Sequence, residues 1–115
     1  MAIVNTKILG QSNPAATTAT TLYTVPSSTS TRVTTIAVCN TSNAARTFRL
    51  WFAIAAAIDT TAQYLYYGTA LAANDTFIVN PGEPGFTLGT GDLIRIYASN
   101  NDLAFTAYGE ELVNQ

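Results

Sequence analysis

The sequence predicts an all-β protein: a single antiparallel β-sandwich, jelly-roll-like, of about eight strands with an extended N-terminal arm. Three observations lead there. Residues 46–54 alternate, with Phe48, Leu50, Phe52 and Ile54 on one face and Thr47, Arg49, Trp51 and Ala53 on the other, which is the period of a strand with one face in a core. Turn-forming residues recur roughly every 8–12 positions, the spacing of a sandwich or small barrel. No segment carries the apolar period of a long helix.

The elements follow in order. Residues 1–21 read as an arm or extended segment, with a short strand at 6–9 and with Ile3, Val4, Ile8 and Leu9 as its apolar anchors. Its second half, QSNPAATTATT, is small, polar and interrupted by Pro14, so it buries little surface. The sandwich domain spans 22–115. A strand at 22–25 stops at Pro26. Residues 32–40 form a long strand rich in β-branched residues, and the loss of phase between Val33 and Ile36 predicts a bulge near Thr34 and Thr35. The cluster Asn40-Thr41-Ser42-Asn43 turns the chain into the alternating strand 46–54. Residues 55–61, alanine-rich but too short for a stable helix, are a loop with room for one helical turn. Strand 64–67 places Tyr64 and Tyr66 on one face and Leu65 and Tyr67 on the other. Strand 76–80 is halted by the Pro/Gly-rich run 81–85, and 86–88 is strand-like. Turns at 89–92 and 99–102 bracket strand 93–98, and 103–112 is the last strand, with Gly109 read as a bulge. The predicted core is Ile36, Val38, Phe48, Leu50, Phe52, Ile54, Ile94, Ile96 and Phe105.

The chain has 115 residues, enough for one domain with one core. It is 48% hydrophobic but only 10% charged, where ~25% is ordinary. Thr (19 residues), Ala (18) and Asn (9) make up the difference. Such a surface repels its own copies weakly, which suits assembly. Of five basic residues only Lys7 is a lysine, and Arg32, Arg46, Arg49 and Arg95 are scattered over a chain of net charge −2. Phosphate binding needs clustered cations, so nucleic acid is excluded as a partner. No apolar run reaches the ~18 residues of a membrane span, and MAIVNTK does not read as a secretory signal.

Catalysis finds no residues to work with. There is no histidine, so neither Cys39 nor any serine has the usual base. Cys39 reads as a small buried or half-buried strand residue. Asp59, Asp75, Glu83, Asp92 and Asp102 fall in turns, where turn amides are their natural partners. None has the spacing of a calcium loop, so no metal or cofactor is expected. Glu110 and Glu111 are adjacent in a strand and point to opposite faces. Trp51 and Arg49 share a face, and this pair is typical of protein interfaces. With Ile3, Val4, Ile8 and Leu9 they form the candidate interface set, against the alternatives of a sugar-stacking site or plain core packing.

The strings GQSNPAATTATTLYTVP, VCN at a strand end, TFRL, LYY, ANDTF, a GD turn, IYAS and a closing FTAYGEEL resemble a group of small structural proteins of tailed-phage virions. The resemblance runs from residue 9 to residue 112 and rests on structural motifs, not catalytic ones. It implies a capsid decoration (cement) protein, or a tail-associated component, with no enzymatic activity. Decoration proteins of this kind are β-sandwich trimers with an N-terminal arm, seated at three-fold positions of the capsid. The resemblance therefore implies a homotrimer on the outer capsid surface, with the major capsid protein or other virion proteins as partners. The lack of a collagen-like or coiled-coil stretch counts against a fibre shaft. A carbohydrate-binding sandwich module is the reading of a different class, and the arm at 1–21 is what would separate the two.

Overall fold

Strand-favouring residues bounded by Gly, Pro, Asn and Ser divide the chain into nine strands in a computed structural model that describes residues 2–82 and 85–114. They are β1 (Ala2–Ser12), β2 (Thr20–Thr24), β3 (Thr29–Asn40), β4 (Arg46–Ala53), β5 (Tyr64–Leu71), β6 (Thr76–Val79), β7 (Phe86–Leu88), β8 (Leu93–Ala98) and β9 (Leu103–Asn114). The larger sheet has the order β1-β9-β3-β6, with β7 also paired to β3, and the smaller sheet has the order β2-β8-β4-β5. β6 lies against residues 36–39 of β3 and β7 against residues 31–33. The two are one edge strand interrupted after Val79, where Pro81 brings no N–H to a ladder, a position an edge tolerates. Counted so, eight strands form two sheets of four, and successive strands change sheet at every connection except β4 to β5. This is the two-sheet jelly roll. Met1, Glu83, Pro84 and Gln115 lie outside the described residues, and with them part of the expected 81–85 turn.

The core lies between the sheets because each long strand alternates. Ile36, Val38, Phe48, Leu50, Ile94, Ile96 and Phe105 are fully buried, as their phase predicts. Phe48 sits among Phe77, Phe105 and Tyr66, with ring centroids 5.5, 6.1 and 6.0 Å away, distances at which aromatic pairs attract. Phe52 is half-buried and packs on this core, edge to face with Phe86 at 5.0 Å. Ile54 departs from the expectation: it is 73% exposed. β4 ends one residue before it, and the chain leaves the sheet in a tight turn with Ala55 and Ala56 at positive φ (52° and 59°). Asp92 holds that turn: its two carboxylate oxygens accept from Ala55 N and Gly89 N, both at 2.8 Å.

The expected bulge is present in the β3–β9 ladder, whose register shifts between Val33 and Thr35. The extra residue is on β3, and Gly109 lies opposite it on β9. A Cβ at Gly109 would fall 2.0 Å from the Arg32 carbonyl oxygen, so this glycine allows the close approach of a bulged neighbour. Asn40 explains the β3–β4 turn. Fully buried, it donates to the Ala44, Leu71 and Ala72 carbonyls at 2.9–3.2 Å and accepts from Ser42 N and Oγ.

The N-terminal segment is extended, but its described first half does not leave the sandwich. It forms β1 at the edge of the larger sheet, paired with β9 from Ala2–Asn114 to Ser12–Phe105. Main-chain pairing explains this, since a run with few buried side chains still satisfies its N–H and C=O groups along an open edge. Only residues 13–19 stay outside the strands, tied to the end of β8 by Thr17 N donating to the Ala98 carbonyl at 2.8 Å.

Candidate functional site

The outer face of the smaller sheet gathers the cationic and aromatic side chains. Arg49 of β4 stands directly opposite Tyr67 of β5 and Tyr97 of β8. Its guanidinium carbon lies 4.2 Å from the centroid of each ring, a cation held between two π faces. In the next row Trp51 stands opposite Tyr64 and Arg95. The β4–β5 register shifts twice, between Leu50 and Trp51 and between Phe48 and Arg49. These shifts leave Leu65 and Gly68 as the extra residues of β5. The first resets the alternation: Tyr64 and Tyr67 share the outer face, with ring centroids 4.8 Å apart, and Tyr66 turns to the core. The strict period of two predicted the opposite grouping.

Trp51 is only 1% exposed, although it points away from the core. The excursion 54–63 folds over it, and its Nε1 donates to Asp59 Oδ1 at 2.9 Å. Asp59 in turn pairs with Arg95 at 3.4 Å, and Arg95 Nη1 donates to Thr21 Oγ1 at 2.8 Å. Trp51 therefore lies beneath a loop whose Asp59 ties it to Arg95 and is not a free recognition surface, while Arg95 Nε is buried without a partner among the described residues. Arg49 is different. Lys7, Arg32, Arg46 and Arg95 each have a carboxylate within 3.4 Å, and Arg49 alone of the five cations has none among the described residues.

The remaining candidates lie on the other side of the molecule. In β1, Val4 and Ile8 point outward beside Leu112 and Tyr108 of β9. Ile3 is on the inward side near the open end of the strand, and Leu9 occupies the β1 bulge and packs on the core. Two neighbours belong with Ile8 that the sequence pattern did not single out. Tyr108 is its direct partner, and Ile78 of β6 stands beside Ala37 on the same outer face. Val4, Ile8, Ile78 and Tyr108 are all exposed. Their outward phase was readable in FTAYG and TFIVN. Arg49 and Trp51 lie on the opposite outer face, so no single patch contains both groups. The one ion pair of this face among the described residues, Arg32 with Glu110 at 3.0 Å, is self-neutralising. Glu110 faces out and Glu111 faces in, as adjacent strand positions require.

Glu111 is buried between the sheets beside Tyr23, Thr31 and Lys7. Tyr23 Oη donates to the Glu111 carboxylate and lies 2.9 Å from Thr31 Oγ1, and Lys7 Nζ reaches Glu111 at 3.4 Å. Burial first, and the bond to Glu111 second, push the Tyr23 phenol up to about 12. A phenol held protonated is a hydrogen-bond donor here, not a base. Asp102 bonds to Arg46 at 3.1 Å, which holds its carboxyl below the usual range. A cleft of about 570 Å³ opens beside Phe52, Ile54, Ala57, Ala62 and Leu88. Three polar residues line it: Gln63 bonds Thr60 N and the Ile58 carbonyl, Asp92 bonds the two amides named above, and the Thr87 hydroxyl has no partner among the described residues. Cys39 is half-buried on the outer face of the larger sheet, and no cluster of metal-ligating side chains occurs among the described residues. Comparison of the chain with protein-family models, with curated proteins and with solved structures finds no match in any of the three.

Proposed function

We propose that this protein is a non-enzymatic structural subunit of a bacteriophage virion, a capsid decoration protein that works by packing between copies of itself and capsid subunits. The observation that carries the reading is the outer face of the larger sheet. Val4, Ile8, Tyr108 and Ile78 are exposed there among Ala37, Ala104 and Thr106, with one ion pair and no free charge among the described residues. A sheet face with exposed apolar side chains among hydroxyls, and with its charges paired, is suited to burial against another protein. The resemblance to tailed-phage virion proteins points the same way. The jelly roll serves both capsid and lectin domains, so the fold supports the class by analogy only. In this reading β1 contributes its outward side chains to the contact, and the assembly is a homotrimer on the outer capsid surface.

Light scattering across a concentration series tests it, on the parent and on an Ile8→Asp, Tyr108→Asp double variant. A trimer for the parent and a monomer for the variant, both with the same far-UV spectrum, is the expected pair of results. Gold-labelled antibody should then mark the heads of virions. A parent that stays monomeric and does not label particles overturns the reading. Labelling of tails moves the protein to a tail component, and saturable binding on a glycan array makes it a sugar-binding module.

A further inference from the structure

We propose that Arg49, clamped between Tyr67 and Tyr97, is a recognition point for a carboxylate, supplied by an acidic side chain of a protein partner. This does not rest on the assembly reading, because Arg49 lies on the outer face of the other sheet. The two tyrosines come from the strands on either side of β4, each directly opposite Arg49 and each 4.2 Å from its guanidinium carbon. Flanked by two rings, the planar guanidinium offers its N–H groups along its in-plane edges. That edge is the fork that meets a carboxylate with two parallel hydrogen bonds. The geometry is set before any ligand arrives, so less side-chain entropy is lost on binding. Lys7, Arg32, Arg46 and Arg95 are paired internally. Arg49 has neither a carboxylate nor a hydrogen-bond acceptor among the described residues, and the hydroxyls of Tyr67 and Tyr97 have no partner there either. An arginine flanked by tyrosines, one of them 60% exposed, has the composition of an interface hot spot.

The choice of a protein carboxylate over an acidic sugar follows from the rings. A sugar stacks on an open aromatic face. Here Tyr67 and Tyr97 each turn a face to the guanidinium, and Tyr67 also meets Tyr64 edge to face at 4.8 Å. Strand addition at the neighbouring edge is also disfavoured. β5 carries two bulges, which break the regular row of main-chain groups a new strand would need. Recognition at this edge is left to side chains.

The test uses the full chain labelled with ¹⁵N and titrated with a peptide alternating glycine and glutamate, its glutamine counterpart, and an oligogalacturonate. The Arg49 Nε–Hε signal and the backbone amides of Tyr67 and Tyr97, its direct cross-strand neighbours, should shift saturably with the glutamate peptide and not with the glutamine peptide, and in the Arg49 variants the two amides carry the readout. Arg49→Gln should abolish the effect. Arg49→Lys keeps the charge and loses the planar fork, and should weaken binding about five- to tenfold. The amide spectrum of each variant reports whether the sandwich is intact. Tyr67→Ala, which removes one wall of the clamp without changing charge, should also weaken binding. No shift of Arg49 up to the solubility limit of the peptide overturns the proposal. So does an unchanged titration in Arg49→Gln. A response to the galacturonate stronger than to the peptide overturns the choice of a protein partner.

Discussion

Replacing Gly109 by alanine tests whether the bulge in β3 and the glycine opposite it are one structural device. An ideal Cβ at this position lies 2.0 Å from the Arg32 carbonyl oxygen, and 3.0 Å from both Arg32 C and Thr34 N. A carbon and a carbonyl oxygen meet comfortably at about 3.3 Å, so the ladder would have to open by more than about 1 Å. All three atoms are backbone, and β3 and β9 are the inner strands of the larger sheet, so no flexible side chain can give way. Overpacking of this kind costs about 1–3 kcal/mol, and each ladder hydrogen bond lost with it adds about 1 kcal/mol. The expected loss is about 3 kcal/mol, or a melting point lower by roughly 12 °C. Gly68→Ala is the control. Gly68 has φ +65°, and a methyl group added there would meet nothing within 4 Å, so the change should cost only the left-handed backbone penalty of about 1 kcal/mol. Urea unfolding of both variants, with the slope checked for constancy, gives the comparison. A Gly109→Ala midpoint at or above that of Gly68→Ala would refute the close-approach argument.

Two further substitutions probe the core and its polar end. Leu50→Ala removes a fully buried side chain and should cost about 2–5 kcal/mol, whereas Ile54→Ala, at a 73% exposed position, should stay within about 0.5 kcal/mol; equal melting points for the two would contradict the outward turn after β4. Tyr23 has a folded pKa of about 12 against a reference of 10.0, so the folded protein holds the phenol proton more tightly than the unfolded chain. That contribution is fully present below pH 10 and is lost as pH rises from there through about 12, on the order of 2 kcal/mol. Denaturation midpoints measured across that window should fall for the parent, and the fall should be smaller in Tyr23→Phe. Parallel curves would mean that Tyr23 is not coupled to the fold.

The local alphabet of the chain determined a good deal by itself. The alternation in 46–54, the broken phase at Val33–Ile36 and the turn cluster at Asn40 are short-range facts. Each reappears in the structure as β4, the Thr34 bulge and the turn held by Asn40. The all-β class and the two-sheet sandwich followed from the same repeats. What the alternation could not tell is which of two faces is left open. It assigns Trp51 to the face away from the core, and only the folding of 54–63 over that face, with Asp59 reaching its indole N–H, makes Trp51 buried. The bulge at Leu65 likewise moves Tyr64 and Tyr67 to one face, because one inserted residue reverses the phase of everything beyond it. The fate of the N-terminal segment was also out of reach of local signals. β1 finds its place on β9, and Lys7 reaches a carboxylate 104 positions away in the chain. The clamp on Arg49 joins strands β4, β5 and β8, which no window of sequence contains. Side-chain period is a property of one strand, but exposure and partnership belong to pairs of strands and to the loops that cross them.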